Sequence, residues 1–144
     1  MHDKNYFTYE EIMRRINNSD RFVGKNSIRI TEIGKGLARG EMENSKATQN
    51  YRGGIHGGAL STLADTTAGA AVSSLGKLSV TAHNTMEYLR PATPGPVSCE
   101  ARVRKDGKHI VVVETTITDT EGREVTIGTF SFHVMGTIAI ESGD

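Results

Sequence analysis

The chain has 144 residues, 17 basic and 17 acidic side chains, no Trp and one Cys. That length suits one domain, 1–144, with a single core; zero net charge argues against nucleic acid as the main partner; and a lone Cys99 excludes an intrachain disulfide and suits a reducing compartment. Hydrophobic residues are 36% and glycines number 16, no run of ~18 apolar residues offers a membrane span, and the polar first residues are unlike a secretory signal, so a cytoplasmic domain that meets no membrane is expected.

Along the chain, the pattern predicts an amphipathic helix over 8–18. Thr8 caps it with Glu11 three residues on, and Ile12, Met13 and Ile16 form a narrow stripe. Two strands are expected over 27–33 and 36–43, where Ile28 and Ile30 alternate with Arg29 and Thr31. Residues 44–56 are polar and glycine-bearing and read as a loop. Residues 57–75 repeat Leu60, Leu63, Ala64, Thr67, Ala68, Ala71, Val72 and Leu75 at helical spacing. Four strands follow, over 79–89, 97–105, 109–119 and 124–135. Asp106-Gly107 supplies a hairpin turn. In the last strand the apolar phase switches from Val125 and Ile127 to Phe130, Phe132 and Val134, which predicts a β-bulge beside Gly128. Strands without intervening helices pair antiparallel. The class is therefore α+β: about six antiparallel strands with the second helix on one face and a short N-terminal helix.

From Gly57 to Leu75 the only formally charged residue is Asp65, among five alanines, three glycines, three serines and three threonines. A surface helix carries charges on its outer face, so this one is expected to be enclosed on most sides, with small side chains admitting a curved sheet. A lone carboxylate there is costly unless paired, and such groups are functional candidates. The bland alternative is an Asp held by Thr62 or Ser61, or turned to solvent. The approach, Asn50-Tyr-Arg-Gly-Gly-Ile-His-Gly-Gly58, leaves first-turn N–H groups bare at the positive end of the helix dipole, which suits an oxyanion. It lacks the Lys-Ser/Thr ending of a P-loop and the preceding strand of a dinucleotide site. His56 either polarises a substrate or orders the loop. His2, His83, His109 and His133 lack metal-ligand spacing with it, so no metal is expected. Ser61 and Ser73 lack a nucleophile elbow.

Asp65 lies eight residues beyond Gly57, about 12 Å along a helix axis. Reacting groups approach to ~3–3.5 Å. If the two features cooperate, a two-fold dimer is required, placing Asp65 of one chain near Gly57 of the other.

The set Asn50-x5-His56-Gly57-Gly58, Asp65 in Leu-Ala-Asp, Tyr88-Leu-Arg90-Pro91-Ala and Gly128-Thr-Phe resembles the hotdog-fold thioesterases, in particular the PaaI-like (phenylacetate-degradation) and hydroxybenzoyl-CoA thioesterase branch. The resemblance covers roughly residues 20–135. It implies a helix wrapped by an antiparallel sheet, and hydrolysis of an aryl-, arylacetyl- or medium-chain acyl-CoA without a cofactor. It makes the Gly57 N–H the oxyanion donor and Asp65 the nucleophile or general base. Asn50 and His56 would orient the water or thioester, and Thr81 would assist the attack. Tyr88, Arg90, Lys105, Gly107, Lys108 and His109 fall where relatives contact CoA, and solvated surface charge is the alternative for them. His83, on the face of Thr81 by simple alternation, belongs to the acyl or pantetheine channel or merely packs. The family builds its sites across a dimer, here expected to pair into a tetramer. The competing functions are a hotdog hydratase or dehydratase on CoA or carrier-protein esters, and a non-catalytic acyl-CoA-binding module.

Overall fold

The first described helix begins where Thr8 accepts a hydrogen bond from the Glu11 N–H at 3.2 Å. The computed structural model describes residues 6–141, so His2 lies outside it. This helix, α1, runs Tyr9–Ile16 and ends at Asn17, two residues short of the expected end. Asn17 and Asn18 turn their side chains to backbone instead of continuing the helix. Asn17 donates from Nδ2 to the Ile30 carbonyl at 2.8 Å and accepts the Ile30 N–H at 2.7 Å. A one-turn helix, α2 (Phe22–Lys25), follows. The periodicity did not predict it.

Six strands form one antiparallel sheet: β1 (Ile28–Gly34), β2 (Leu37–Met42), β3 (Lys77–Tyr88), β4 (Val97–Asp106), β5 (Ile110–Thr118) and β6 (Glu124–Thr137). Their order across the sheet is β1-β2-β4-β5-β6-β3. Helix α3 (Gly57–Ser73) lies on its concave face. The expected architecture is therefore present.

Leu63, Ala64, Thr67, Ala68, Ala71 and Val72 of α3 are buried against Ala38, Met42, Val97, Cys99, Ala101, Val111, Val113 and Phe130 of the sheet. The small helix residues permit this close approach. At Gly40 it has no slack: an added Cβ would sit 2.7 Å from the Thr67 hydroxyl. Cys99 belongs to this core, where burial pushes its thiol up to about 12, so it is no nucleophile.

Two expectations are corrected. Helix α3 is not enclosed on most sides, because Ser61, Thr62, Asp65, Thr66, Gly69 and Ser73 are half-exposed along one uncharged flank. The β6 bulge lies at Val125, not beside Gly128. Ile117 pairs with Thr126 and Thr118 with Glu124, leaving Val125 as the extra residue. Thr126 rather than Ile127 then points inward, with its Oγ1 buried and without a partner among the described residues. Gly128 pairs regularly, and a Cβ there would meet Met86 Sδ at 2.5 Å and Thr115 Oγ1 at 3.0 Å.

The two sheet edges differ. The β1 edge is clasped by Asn17 at Ile30. The β3 edge has no strand beside it among the described residues, and Leu78, Val80 and Tyr88 on it are half exposed. A long open edge invites pairing with another chain. No helix of the described residues is long and apolar enough to cross a membrane.

The β5–β6 turn is held by Asp119, whose buried carboxylate accepts the N–H groups of Glu121 and Arg123 at 3.0 and 3.1 Å and of Thr93 at 3.4 Å, plus the Arg123 guanidinium at 3.2 Å. Burial alone would raise this carboxyl. The backbone donors and Arg123 outweigh it and hold the group below its ordinary range. A depressed folded-state pKa contributes stability above the unfolded value, about 3.9 for Asp, and loses it as pH falls through the lower folded value. Asp119→Asn is therefore expected to melt lower than the parent at neutral pH. The two melting curves should converge as the solution is acidified below about pH 3.9, where the unfolded carboxyl protonates. A gap in melting temperature that persists at the acid end contradicts the assignment.

Candidate active site

The start of α3 is built by its approach loop. The Asn50 side-chain Oδ1 accepts the N–H groups of Arg52 and Gly54 at 2.9 and 3.2 Å, closing a turn. The His56 N–H is tied to the Thr48 carbonyl at 2.8 Å. Thr48 is itself buried and donates to the Glu43 carbonyl at 2.6 Å. His56 then caps the helix, its Nδ1 accepting the Gly58 N–H at 2.8 Å. With Nδ1 as acceptor, a neutral His56 carries its proton on Nε2, which leaves that nitrogen as a donor. The N–H of Gly57, at the first helical position, has no intrahelical acceptor. Tyr88 flanks it, with ring carbons 3.6–3.9 Å from where a Gly57 Cβ would lie.

Two turns further on, Asp65 accepts a 2.6 Å hydrogen bond at Oδ1 from the Thr81 hydroxyl of β3. Neither Thr62 nor Ser61 holds it: the Thr62 hydroxyl folds back to the Gly58 carbonyl at 2.8 Å. Both residues line a groove of about 810 Å³ between α3, the start of β3 and the α1–α2 segment. Along α3 the groove passes Gly69 and Ala70, with Phe132 from β6 and Phe22 and Val23 from α2. One carboxylate oxygen is thus fixed by a hydroxyl in a largely apolar groove, and the other is left for a proton or a carbonyl carbon. Asp65 and Gly57 remain eight residues apart on an unbroken helix, about 12 Å.

His83 does not share a face with Thr81. Thr81 pairs with Phe132 and His83 with Ser131, so Ala82 is an extra residue that flips the alternation. Thr81 follows Phe132 to the concave side and His83 follows Ser131 to the convex side.

The groups assigned to CoA separate into two sets within one chain. Tyr88 and the exposed Arg90 stand at one end of β3, beside the α3 start. The β4–β5 hairpin carrying Lys105, Gly107, Lys108 and His109 stands at the other. Lys77, the first residue of β3, bonds the Asp106 carboxylate and donates to the Gly107 carbonyl at 2.7 Å. Eleven residue steps of strand, roughly 36 Å, lie between the two ends. Gly107 is needed by the hairpin itself, since a Cβ there would collide with the Ile110 carbonyl. Lys77 and the α2 side chains at the groove were not singled out in the sequence. A lysine before a strand and a one-turn helix carry no distinguishing pattern.

Among the described residues, no group of three or more His, Cys, Asp and Glu side chains is placed to hold a metal ion.

The family model of the thioesterase superfamily matches residues 52–126, just over half of the chain, from the α3 approach into β6. A protein of Saccharolobus solfataricus named as a candidate esterase is 31% identical over 100 residues, 68% of this chain and 65% of that relative, so the match spans slightly under two thirds of the relative's length. The Escherichia coli PaaI protein from the phenylacetic acid degradation operon superposes with a TM-score of 0.82 at 26% identity, covering 90% of this chain and 94% of PaaI. A hypothetical thioesterase of Streptococcus pneumoniae, solved with coenzyme A, superposes with a TM-score of 0.74 at 29% identity, covering 77% of this chain and 88% of its own.

Proposed function

The chain belongs to the thioesterase superfamily, and from that premise we propose that it hydrolyses an aryl-, arylacetyl- or medium-chain acyl-CoA to the free acid and CoA. The observation that carries this reading is the Asp65–Thr81 pair at 2.6 Å inside the groove between α3 and β3. Asp65 either takes a proton from water as hydroxide adds to the thioester carbonyl, or adds itself and forms an anhydride that water then opens. In both routes the carbonyl oxygen gains negative charge, which a bare helix-start N–H such as that of Gly57 stabilises. The collapsing intermediate expels CoA as a thiolate, and a thiol of pKa near ~8.5 leaves without a strong acid. Thr81 holds the carboxylate, and His56 Nε2–H and Asn50 orient the thioester or water. The reaction consumes only water and thioester and asks for no resident cofactor.

The working unit is a two-fold dimer. Antiparallel pairing of two β3 edges about an axis between Asn84 and Thr85 sets Thr81 opposite the partner's Tyr88. That brings Asp65 to the partner's Gly57, and the Lys105–His109 hairpin to the partner's Arg90. The open β3 edge and the two separated basic sets support it. Pairs of dimers then form the tetramer. A lone, buried, free cysteine suits the reducing cytoplasm as its location.

A thiol-release assay across phenylacetyl-, hydroxybenzoyl- and straight-chain acyl-CoA, run beside enoyl-CoA hydration, tests the function. Thiol release from at least one ester is expected. Hydration without thiol release points to a hydratase, and tight binding without turnover points to a binding module.

A further inference from the structure

Gly69 sits in the interior of α3, four residues after Asp65 and half-exposed to the same groove. Glycine inside a helix is less stable than alanine by roughly 0.8–1 kcal/mol, so a fold that tolerates alanine there has no reason of its own to carry glycine. The fold does tolerate it. A Cβ at Gly69 would meet only Phe132 Cε1, at an ordinary 3.8 Å. Gly40 and Gly128 are different, because there a Cβ would fall 2.7 Å from Thr67 and 2.5 Å from Met86. Those glycines serve packing within the chain, whereas Gly69 keeps space open in the groove.

The position of that space defines what it takes. Residues four apart on a helix have side chains about 5–6 Å from each other. A thioester carbonyl poised at Asp65 is within ~3–3.5 Å of the carboxylate. The part of an acyl group one or two carbons beyond the carbonyl therefore lies over Gly69. Phe132 is on one side of it, and Phe22, an aromatic 66% exposed although it lines the groove, is at the rim. We propose that Gly69 is the specificity-determining residue of this site: the gap it leaves between α3 and Phe132 admits an acyl group with a ring close to the carbonyl, and Phe22 covers that ring. The proposal rests on the hydrolase reading above and narrows its substrate class to aryl and arylacetyl thioesters.

Binding of hydrolysis-inert thioethers separates this proposal from turnover. The phenacyl and acetonyl thioethers of CoA differ by a ring in place of a methyl group, and calorimetry gives their Kd values. The parent is expected to prefer the phenacyl form by 10-fold or more, about the discrimination a pocket achieves per added group. Gly69→Ala should cut that preference about 10-fold while leaving acetonyl-CoA and CoA binding unchanged. Its melting temperature should rise by about 2–4 °C, which shows that the variant folds. Phe22→Ala should weaken phenacyl-CoA alone, by about 3- to 10-fold, the worth of one aromatic contact. Equal affinity of the parent for both thioethers overturns the proposal, as does an undiminished preference in Gly69→Ala. So does dissociation of Gly69→Ala into monomers, which would make Gly69 a subunit contact. A parent that shows the preference yet releases no thiol from any arylacyl-CoA supports the groove assignment and sinks the hydrolase reading instead.

Discussion

Replacing Asp65 by Asn should lower kcat for acyl-CoA hydrolysis by about 10²–10⁴, the usual worth of a positioned general base. The change is nearly isosteric, and Asn still accepts the Thr81 hydroxyl through its amide oxygen. The fold should persist, with an unchanged melting temperature and an intact dimer. KM should move little, since the carboxylate acts on the reacting carbonyl and not on the CoA body. Thr81→Val removes the 2.6 Å donor but leaves the carboxylate, and a lost hydrogen bond to a charged group costs roughly 10-fold or somewhat more in kcat. Thr81 is thus a positioning residue, and its mark is graded: Thr81→Ser should recover most of the loss, because it restores the hydroxyl. Undiminished turnover in Asp65→Asn removes Asp65 from the mechanism outright.

Gly57→Pro should be as damaging, for a different reason. The first position of a helix is the one place where proline is welcome, and His56 before it already has the extended backbone, ψ 135°, that a residue preceding proline adopts. The substitution therefore deletes one N–H and little else, and loss of one oxyanion donor lowers kcat by about 10²–10³. Because Gly57 and Asp65 are some 12 Å apart on one rigid helix, the two inactive variants are expected to rescue each other. A mixed dimer holds one site with both defects and one site with neither. Random pairing of equal amounts should restore about a quarter of parental activity per chain if sites form across a two-fold interface. No recovery, with mixed dimers demonstrated by differential tagging, means that each site is built within one chain.

The central helix was legible because its run of small, uncharged residues is so unlike a surface helix, and its start because a glycine-flanked histidine before such a run has few other uses. His56 as the cap is a local fact, readable within three residues. Asp65 was legible as an anomaly of charge. Thr81 was not legible from its own strand, where it is one polar residue among several, and it entered only through resemblance. What stayed hidden depends on partners distant in sequence. The phase of β6 was misplaced because Ile127 is more apolar than Thr126, yet Thr126 is the one that faces the core. His83 was put on the wrong face because nothing in the local pattern announces the extra residue at Ala82. The two basic sets looked like one rim because spacing along the chain does not say which end of a sheet a hairpin occupies; Lys77 at Gly107 settles that. Helix α2 is too short to leave a period.

The Asn17 clasp on β1 has a bearing on how far the protein can grow. A sheet with both margins free is a monomer in the polymer chemist's sense, able to add units at either side without limit. Here one margin is terminated by a side chain that mimics a strand for a single residue, satisfying the Ile30 N–H and C=O together. Only the β3 margin can propagate, and a two-fold pairing consumes it on both partners at once. In-plane growth through β3 then ends at two chains, with a clasped β1 at each outer border. A substitution such as Asn17→Ala would turn a chain terminator into a bifunctional unit, and edge-to-edge aggregation rather than lost activity is the hazard it brings.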